Sequence, residues 1–142
     1  MANPYTGYDD VDAIRRSAWN ASNKDVNMYK LLLETINQES HFGKLAPDNP
    51  LQQTPIFLKE MKRLGGAGDP SDLGDAFKMA AQYYKKKMKG EDLSSPEGRA
   101  QVWKQYYNTY APGAAGTPEK YLETNKIMDW SAVDQWASQQ RR

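Results

Sequence analysis

Residues 36–42, with the sequence Ile-Asn-Gln-Glu-Ser-His-Phe, place one carboxylate at the end of a helical apolar pattern. At about 100° per residue, Leu32, Ile36 and Glu39 fall within about 80° of one another and share one stripe of the helix. A carboxylate on an apolar stripe is costly unless it has a function. The same count directs a second group of side chains to the opposite, solvated side: Lys30, Glu34, Asn37 and Gln38.

This position predicts acid chemistry for Glu39. The negative end of the helix dipole and the apolar surroundings both favour the protonated carboxyl near neutral pH. A protonated carboxyl is what a general acid needs to cleave a glycosidic bond. Glycoside hydrolases usually pair two carboxylates, but Asp48, in the loop that follows, is fixed by no sequence feature. One acid suffices if the sugar supplies its own nucleophile.

Composition excludes several other kinds of site. The 142 residues are one domain's worth, and they contain no cysteine and a single histidine. Thiol chemistry, a histidine-based zinc site and a Ser-His-Asp triad are therefore not expected, and we predict neither a metal nor a cofactor. The net charge of +1 gives no reason to expect a nucleic-acid partner, and no apolar run reaches membrane-spanning length. The lysine run at 85–89 leaves open a helical nucleic-acid-binding module, but such runs are usually solvated helix faces.

Helix signals recur along the whole chain. Capping residues, several followed by proline, predict helices that start near Asp9, Ser22 or Asn23, Thr54, Asp69, Ser95, Thr117 and Asp129. No segment alternates with period two for long enough to be a strand. The sequence therefore predicts a single all-α domain, residues 1–142, with about six or seven helices and a frayed tail at 139–142.

Several motifs, taken together, resemble one enzyme family. Residues 39–42 resemble the Glu-Ser-x-Phe motif of the soluble (SLT-type) lytic transglycosylases, which have a goose-type-lysozyme-like fold. Residues 28–38 resemble the family's helix before that glutamate, and residues 50–55 its Gly-Leu-Met-Gln motif followed by Thr-Pro. Residues 69–86, 106–108 and 121–127 are similar to its helix ending in Tyr-Leu, its Ala-Tyr-Asn-Ala-Gly motif and its closing helix. The matches occur in the family's order over about residues 23–128.

The resemblance implies a lysozyme-like fold, an activity and a set of site residues. The activity is cleavage of the β-1,4 bond between N-acetylmuramic acid and N-acetylglucosamine in peptidoglycan, leaving a 1,6-anhydro end, with Glu39 as the catalytic acid and base. Substrate contacts are implied for six further residues: Ser40, Phe42, Gln53, Tyr107, Asn108 and Tyr121. Four of them have structural alternatives: Ser40 as a local backbone partner, Gln53 as a loop residue before the Thr54 cap, and Tyr107 and Tyr121 as core residues, since Tyr106 and Tyr107 cannot both face a cleft.

The second motif departs from the family, because Pro50 and Gln52 stand where it has glycine and methionine. This departure leaves open a wall-binding or structural virion protein without turnover. A muramidase, which uses water to cleave the same bond, is the alternative to the transglycosylase. The N-terminal residues do not resemble a secretory signal. Phage virion proteins often resemble this family, so we expect association with a virion, other virion proteins as partners, and action on the bacterial wall from the periplasm.

Overall fold

The computed structural model describes residues 11–40, 48–49, 51, 53–66, 68–87, 92–110, 117–127 and 130–140, with backbone alone at 11, 12, 40, 87, 107–110 and 127. These ranges contain helices and no strand, which confirms the predicted all-α class. The seven α-helices are α1 (Val11–Ala21), α2 (Val26–Ser40), α3 (Pro55–Arg63), α4 (Leu73–Lys87), α5 (Pro96–Tyr110), α6 (Pro118–Thr124) and α7 (Trp130–Gln140). A short 3-10 helix, Asn125–Ile127, follows α6.

Hydroxyl side chains start three of these helices, as the sequence predicts. Thr54 accepts a hydrogen bond from the backbone N–H of Phe57 at 3.2 Å, and Thr117 accepts one from Lys120 at 3.2 Å. Ser95 accepts the N–H of Gly98 at 2.9 Å. Each hydroxyl thus satisfies one of the free donors of a first helical turn, with proline at the next position.

The start of α2 differs from the predicted one. The cap is Asp25, whose Oδ1 accepts the N–H groups of Asn27 and Met28 at 2.9 and 3.3 Å. Ser22 instead donates its hydroxyl to the carbonyl of Trp19 at 2.6 Å, at the end of α1. The prediction of a cap at Ser22 or Asn23 is therefore wrong, because the chain first makes a left-handed turn that includes Asn23 (φ 56°).

The start of α4 is also displaced from the predicted position. Asp72 accepts the N–H of Asp75 at 2.9 Å, so α4 begins after Asp72. Asp69 accepts the N–H of Ser71 at 2.9 Å in the preceding turn. At the other end of the chain, α7 continues through Gln140, so the first half of the tail expected to fray is helical.

The central helix is α2, which packs against α1, α4, α6 and α7. Every residue from Leu31 to Asn37 is buried. The prediction that one side of α2 faces solvent is therefore wrong at two positions, because Glu34 and Asn37 are each 1% exposed. α5 and α6 cover that side: Glu34 contacts Arg99 of α5, and the Asn37 amide donates to the carbonyl of Thr124 at 3.2 Å. A helix segment that is buried on every side, as residues 31–37 are, cannot present a solvated stripe.

All seven helices contribute to one cluster of buried apolar side chains. Its largest aromatic members include Trp103, Tyr29, Tyr84, Tyr121 and Phe57. Among the described residues, no helix is both long enough and apolar enough to cross a bilayer. The lysozyme-like arrangement of these helices stays a prediction.

Candidate functional site

Glu39 lies in the last turn of α2, where the helix leaves the core. Its side chain is half-buried, whereas Leu32 and Ile36 on the same stripe are fully buried. The indole Nε1–H of Trp103, on α5, donates to Oε1 of Glu39 at 3.1 Å. Trp103 itself is 1% exposed, so this contact is made from inside the protein.

The surroundings of Glu39 change its acidity. Burial raises the pKa of Glu39 from 4.5 to about 7, and the hydrogen bond from Trp103 lowers it by a smaller amount. Burial acts in this direction because it removes water from the charged form of the carboxyl. The predicted direction is confirmed, with desolvation as its main cause. At neutral pH this carboxyl therefore exists in both protonation states.

Glu34 is a second buried carboxyl on α2, and its surroundings differ from those of Glu39. Nε of Arg99 donates to Oε1 at 2.6 Å, and Nη2 lies 3.5 Å from Oε2. The hydroxyl of Tyr121 donates to the same Oε1 at 2.9 Å. Burial raises the pKa of Glu34, and the Arg99 guanidinium opposes that rise. Since arginine stays protonated, Glu34 supplies the counter-charge that a buried guanidinium needs.

These contacts form a polar cluster, which we define as Glu34, Glu39, Arg99, Trp103 and Tyr121. Within it, the rings of Trp103 and Tyr121 pack with their centroids 5.0 Å apart and their planes tilted by 32°. Arg99 and Trp103 are four residues apart on α5 and so share one helix face. The cluster therefore joins α2 to α5 and α6, and connects both glutamates through one pair of aromatic rings.

Gln53 occupies a structural position. Its side chain is 2% exposed, and its Nε2 donates to the carbonyl of Ala76, on α4, at 2.9 Å. Its backbone N–H and carbonyl both bond the side chain of Asn49, at 2.8 and 2.9 Å. Gln53 thus ties the segment before α3 to α4. This buried, bonded position fits the structural alternative for Gln53, and its contact with a sugar stays a prediction.

Tyr121 is likewise buried, with 0% of its surface exposed. It was expected in the wall of a cleft, but its hydroxyl donates to Glu34 and its ring packs against Trp103. Tyr121 lies on the interior side of Trp103 because α6 packs against both α5 and α2. Tyr121 therefore contacts the polar cluster from the interior of the protein.

The remaining predicted residues are described in part. Ser40 is the last residue of α2, and Tyr107 and Asn108 lie in the last turn of α5, with backbone alone described for all three. Phe42 lies outside the described residues. Asp48 is exposed in a turn.

Three members of the polar cluster were not predicted from the sequence: Glu34, Arg99 and Trp103. The available signal was the spacing of Arg99 and Trp103 by one helical turn on α5, which puts a cation and an indole on the same face. The partner of that face was not predictable, because Glu34 is 65 residues away from Arg99 in sequence. In the described part of the chain, no group of three or more His, Cys, Asp or Glu side chains is arranged to hold a metal ion.

Comparison of the chain with protein-family models, with curated proteins and with solved structures finds no match in any of the three.

Proposed function

We propose that the protein is a peptidoglycan lytic transglycosylase in which Glu39 is the acid and then the base. The observation that carries the proposal is a half-buried carboxyl whose pKa is raised to about 7 at the end of a core helix. A general acid is most effective when its pKa lies near the working pH. Glu39 has this property, and the resemblance of residues 39–42 to the family's catalytic motif supplies the substrate class.

The proposed reaction balances without water. Glu39 gives its proton to the glycosidic oxygen, and the bond from that oxygen to the anomeric carbon of N-acetylmuramic acid breaks. The 6-hydroxyl of the same muramoyl residue then bonds to the anomeric carbon, and its proton returns to the Glu39 carboxylate. The products are an N-acetylglucosamine end with a free 4-hydroxyl and a 1,6-anhydro end.

The pairing of Glu34 supports a mechanism with a single carboxylate. A retaining or inverting hydrolase uses a second carboxylate as nucleophile or base. Glu34, the other glutamate of α2, already accepts hydrogen bonds from Arg99 and Tyr121 inside the protein. It is therefore not available to attack a sugar or to activate a water molecule.

The test is digestion of purified peptidoglycan followed by mass spectrometry of the soluble products. We expect 1,6-anhydromuropeptides from the unmodified protein, and at least about a 100-fold slower release from Glu39→Gln, since general acid catalysis contributes about 10²–10⁴-fold. The matched control is Glu123→Gln, which removes a glutamate that is 72% exposed. Reducing-end products would assign the alternative, a muramidase. Unchanged activity in Glu39→Gln would contradict the role of Glu39.

A second candidate is a wall-binding or structural virion protein on the same fold that lacks turnover. The burial of Gln53 and Tyr121 favours it, because both were expected to contact substrate. Co-sedimentation with insoluble peptidoglycan, without release of soluble fragments, would support this candidate. For either candidate we propose the bacterial wall as the site of action, reached in the periplasm by way of a virion.

A further inference from the structure

The indole of Trp103 contacts one particular oxygen of Glu39. Its Nε1 lies 3.1 Å from Oε1. An indole N–H can only donate a hydrogen bond, so Oε1 has to accept in both protonation states of the carboxyl. In a protonated carboxyl the two oxygens differ, because one is a carbonyl and the other carries the hydrogen. The carbonyl oxygen is the better acceptor, so the hydrogen bond favours the form in which Oε1 is the carbonyl.

We propose that Trp103 is a positioning residue, which assigns the transferable proton of Glu39 to Oε2 by donating its indole N–H to Oε1. The inference rests on the proposed function, in which Glu39 is the proton donor. It adds that one oxygen of the carboxyl makes the transfer, and that an interior residue determines which. Trp103 acts through Glu39.

Contacts on the interior side of Trp103 hold its ring in place. Its ring packs on that of Tyr121 at 5.0 Å, and the Tyr121 hydroxyl is bonded to Glu34. One turn earlier on α5, Arg99 is bonded to the same Glu34. Trp103 and Tyr121 are 1% and 0% exposed, so both rings are enclosed by the packed interior. The direction of the indole N–H is therefore set by packing as well as by its bond to Glu39.

Other titratable groups face this region from the neighbouring helices. Tyr84, on α4, bonds Thr35 at 3.0 Å, and its pKa is raised mainly by burial and further by the charge of Glu39. The polar cluster adds Glu34, the Arg99 guanidinium and Tyr121, whose pKa is raised mainly by burial. Glu39→Gln retains all four of these groups, although it removes the charge that adds to the raised pKa of Tyr84. Its amide oxygen can still accept the indole N–H. This variant therefore isolates the protonation of Glu39 from that of its neighbours.

The test follows the indole N–H signals of the four tryptophans by ¹H–¹⁵N NMR between pH 5 and pH 9. We expect the Trp103 signal to move with a midpoint near pH 7 in the unmodified protein, and to stay constant in Glu39→Gln. Trp136, which stacks on Tyr29 at 5.5 Å, is the internal control and should not show this transition. A Trp103 signal that does not move, or that moves equally in Glu39→Gln, would overturn the proposal.

The pH profile of peptidoglycan cleavage provides a second readout. In Trp103→Phe the basic limb should move upward by about one pH unit, because a hydrogen bond that favours the ionised carboxyl is lost. In Trp136→Phe the profile should not move. An unshifted profile in a folded Trp103→Phe protein would overturn the proposal, and if this variant does not fold, the NMR titration decides alone.

The two proposals fail in different ways. Absence of cleavage by the unmodified protein would contradict the proposed function, whatever the NMR titration shows. If the protein cleaves peptidoglycan but the Trp103 indole signal does not follow the titration of Glu39, only the positioning role is contradicted.

Discussion

Glu34 and Glu39 lie five residues apart on α2, and their partners give the two carboxyl groups different properties. Glu34 accepts from a guanidinium and a phenol, and is fully buried. Glu39 accepts from a neutral indole, is half-buried, and has a pKa of about 7. A cation beside a buried carboxyl favours ionisation, whereas burial beside a neutral donor leaves the desolvation cost largely uncompensated. The partners, and not the residue type, make the two carboxyl groups chemically different.

This difference predicts how stability depends on pH at Glu39. Folding raises its pKa from 4.5 to about 7, so its contribution to stability is fully present below pH 4.5 and is lost as the pH rises through about 7. A gap of that size corresponds to about 3 kcal/mol at most. Glutamine mimics the protonated carboxyl, so we expect Glu39→Gln to equal the unmodified protein at pH 4 and to exceed its unfolding free energy by up to about 3 kcal/mol at pH 8.

Urea denaturation at pH 4, 6 and 8 measures this difference. The control is Glu123→Gln, whose exposed ion pair with Lys126 contributes less than about 1 kcal/mol. A difference between Glu39→Gln and the unmodified protein that stays constant from pH 4 to pH 8 would show that Glu39 has an ordinary pKa.

At the scale of the helices, local signals and distant contacts were predictable to very different degrees. The starts of α3, α5 and α6 follow from a hydroxyl that accepts an N–H three residues later, a pattern that the sequence contains in full. The raised pKa of Glu39 was also predictable, because its apolar stripe is local. The surroundings of Glu34 were not, since its partners on α5 and α6 lie 65 and 87 residues away. An amphipathic count assumes one solvated side, and α2 has none among residues 31–37.

The buried ion pair between Glu34 on α2 and Arg99 on α5 predicts a large loss of unfolding free energy when the charge of Glu34 is removed. Glu34→Gln leaves the Arg99 guanidinium, 2% exposed, without its counter-charge. Breaking a buried ion pair in this way costs about 3–5 kcal/mol, much more than removing an exposed one. We expect a loss of that size in urea denaturation at pH 7, and a smaller loss when Glu34→Leu and Arg99→Met are combined, because no charge then stays buried. A loss below about 1 kcal/mol in Glu34→Gln would contradict the proposed importance of the pair.

At the scale of the whole molecule, the all-α class followed from helix caps and apolar spacing along the chain. The arrangement around α2 did not, because it depends on which faces the other helices bury. Residues from every helix meet in one apolar cluster, with α2 in contact with α1, α4, α6 and α7. Opening α2 would therefore expose side chains packed against most of the molecule, including both carboxyl groups of the polar cluster. We therefore expect α2, which carries Glu39, to be the helix that is hardest to open alone.

Amide hydrogen exchange tests this arrangement directly. Protection reaches the global unfolding free energy only where opening requires the whole structure to unfold. We expect the amides of residues 31–36 to exchange only through global unfolding, so that their exchange free energy equals the unfolding free energy from urea. The amides near Gln140, where residues 138–140 are exposed, should exchange much faster through local opening of the end of α7. If residues 31–36 exchanged as fast as the end of α7, α2 would not be the stable centre. Glu39 would then lie on an element too mobile to keep its proton in one direction.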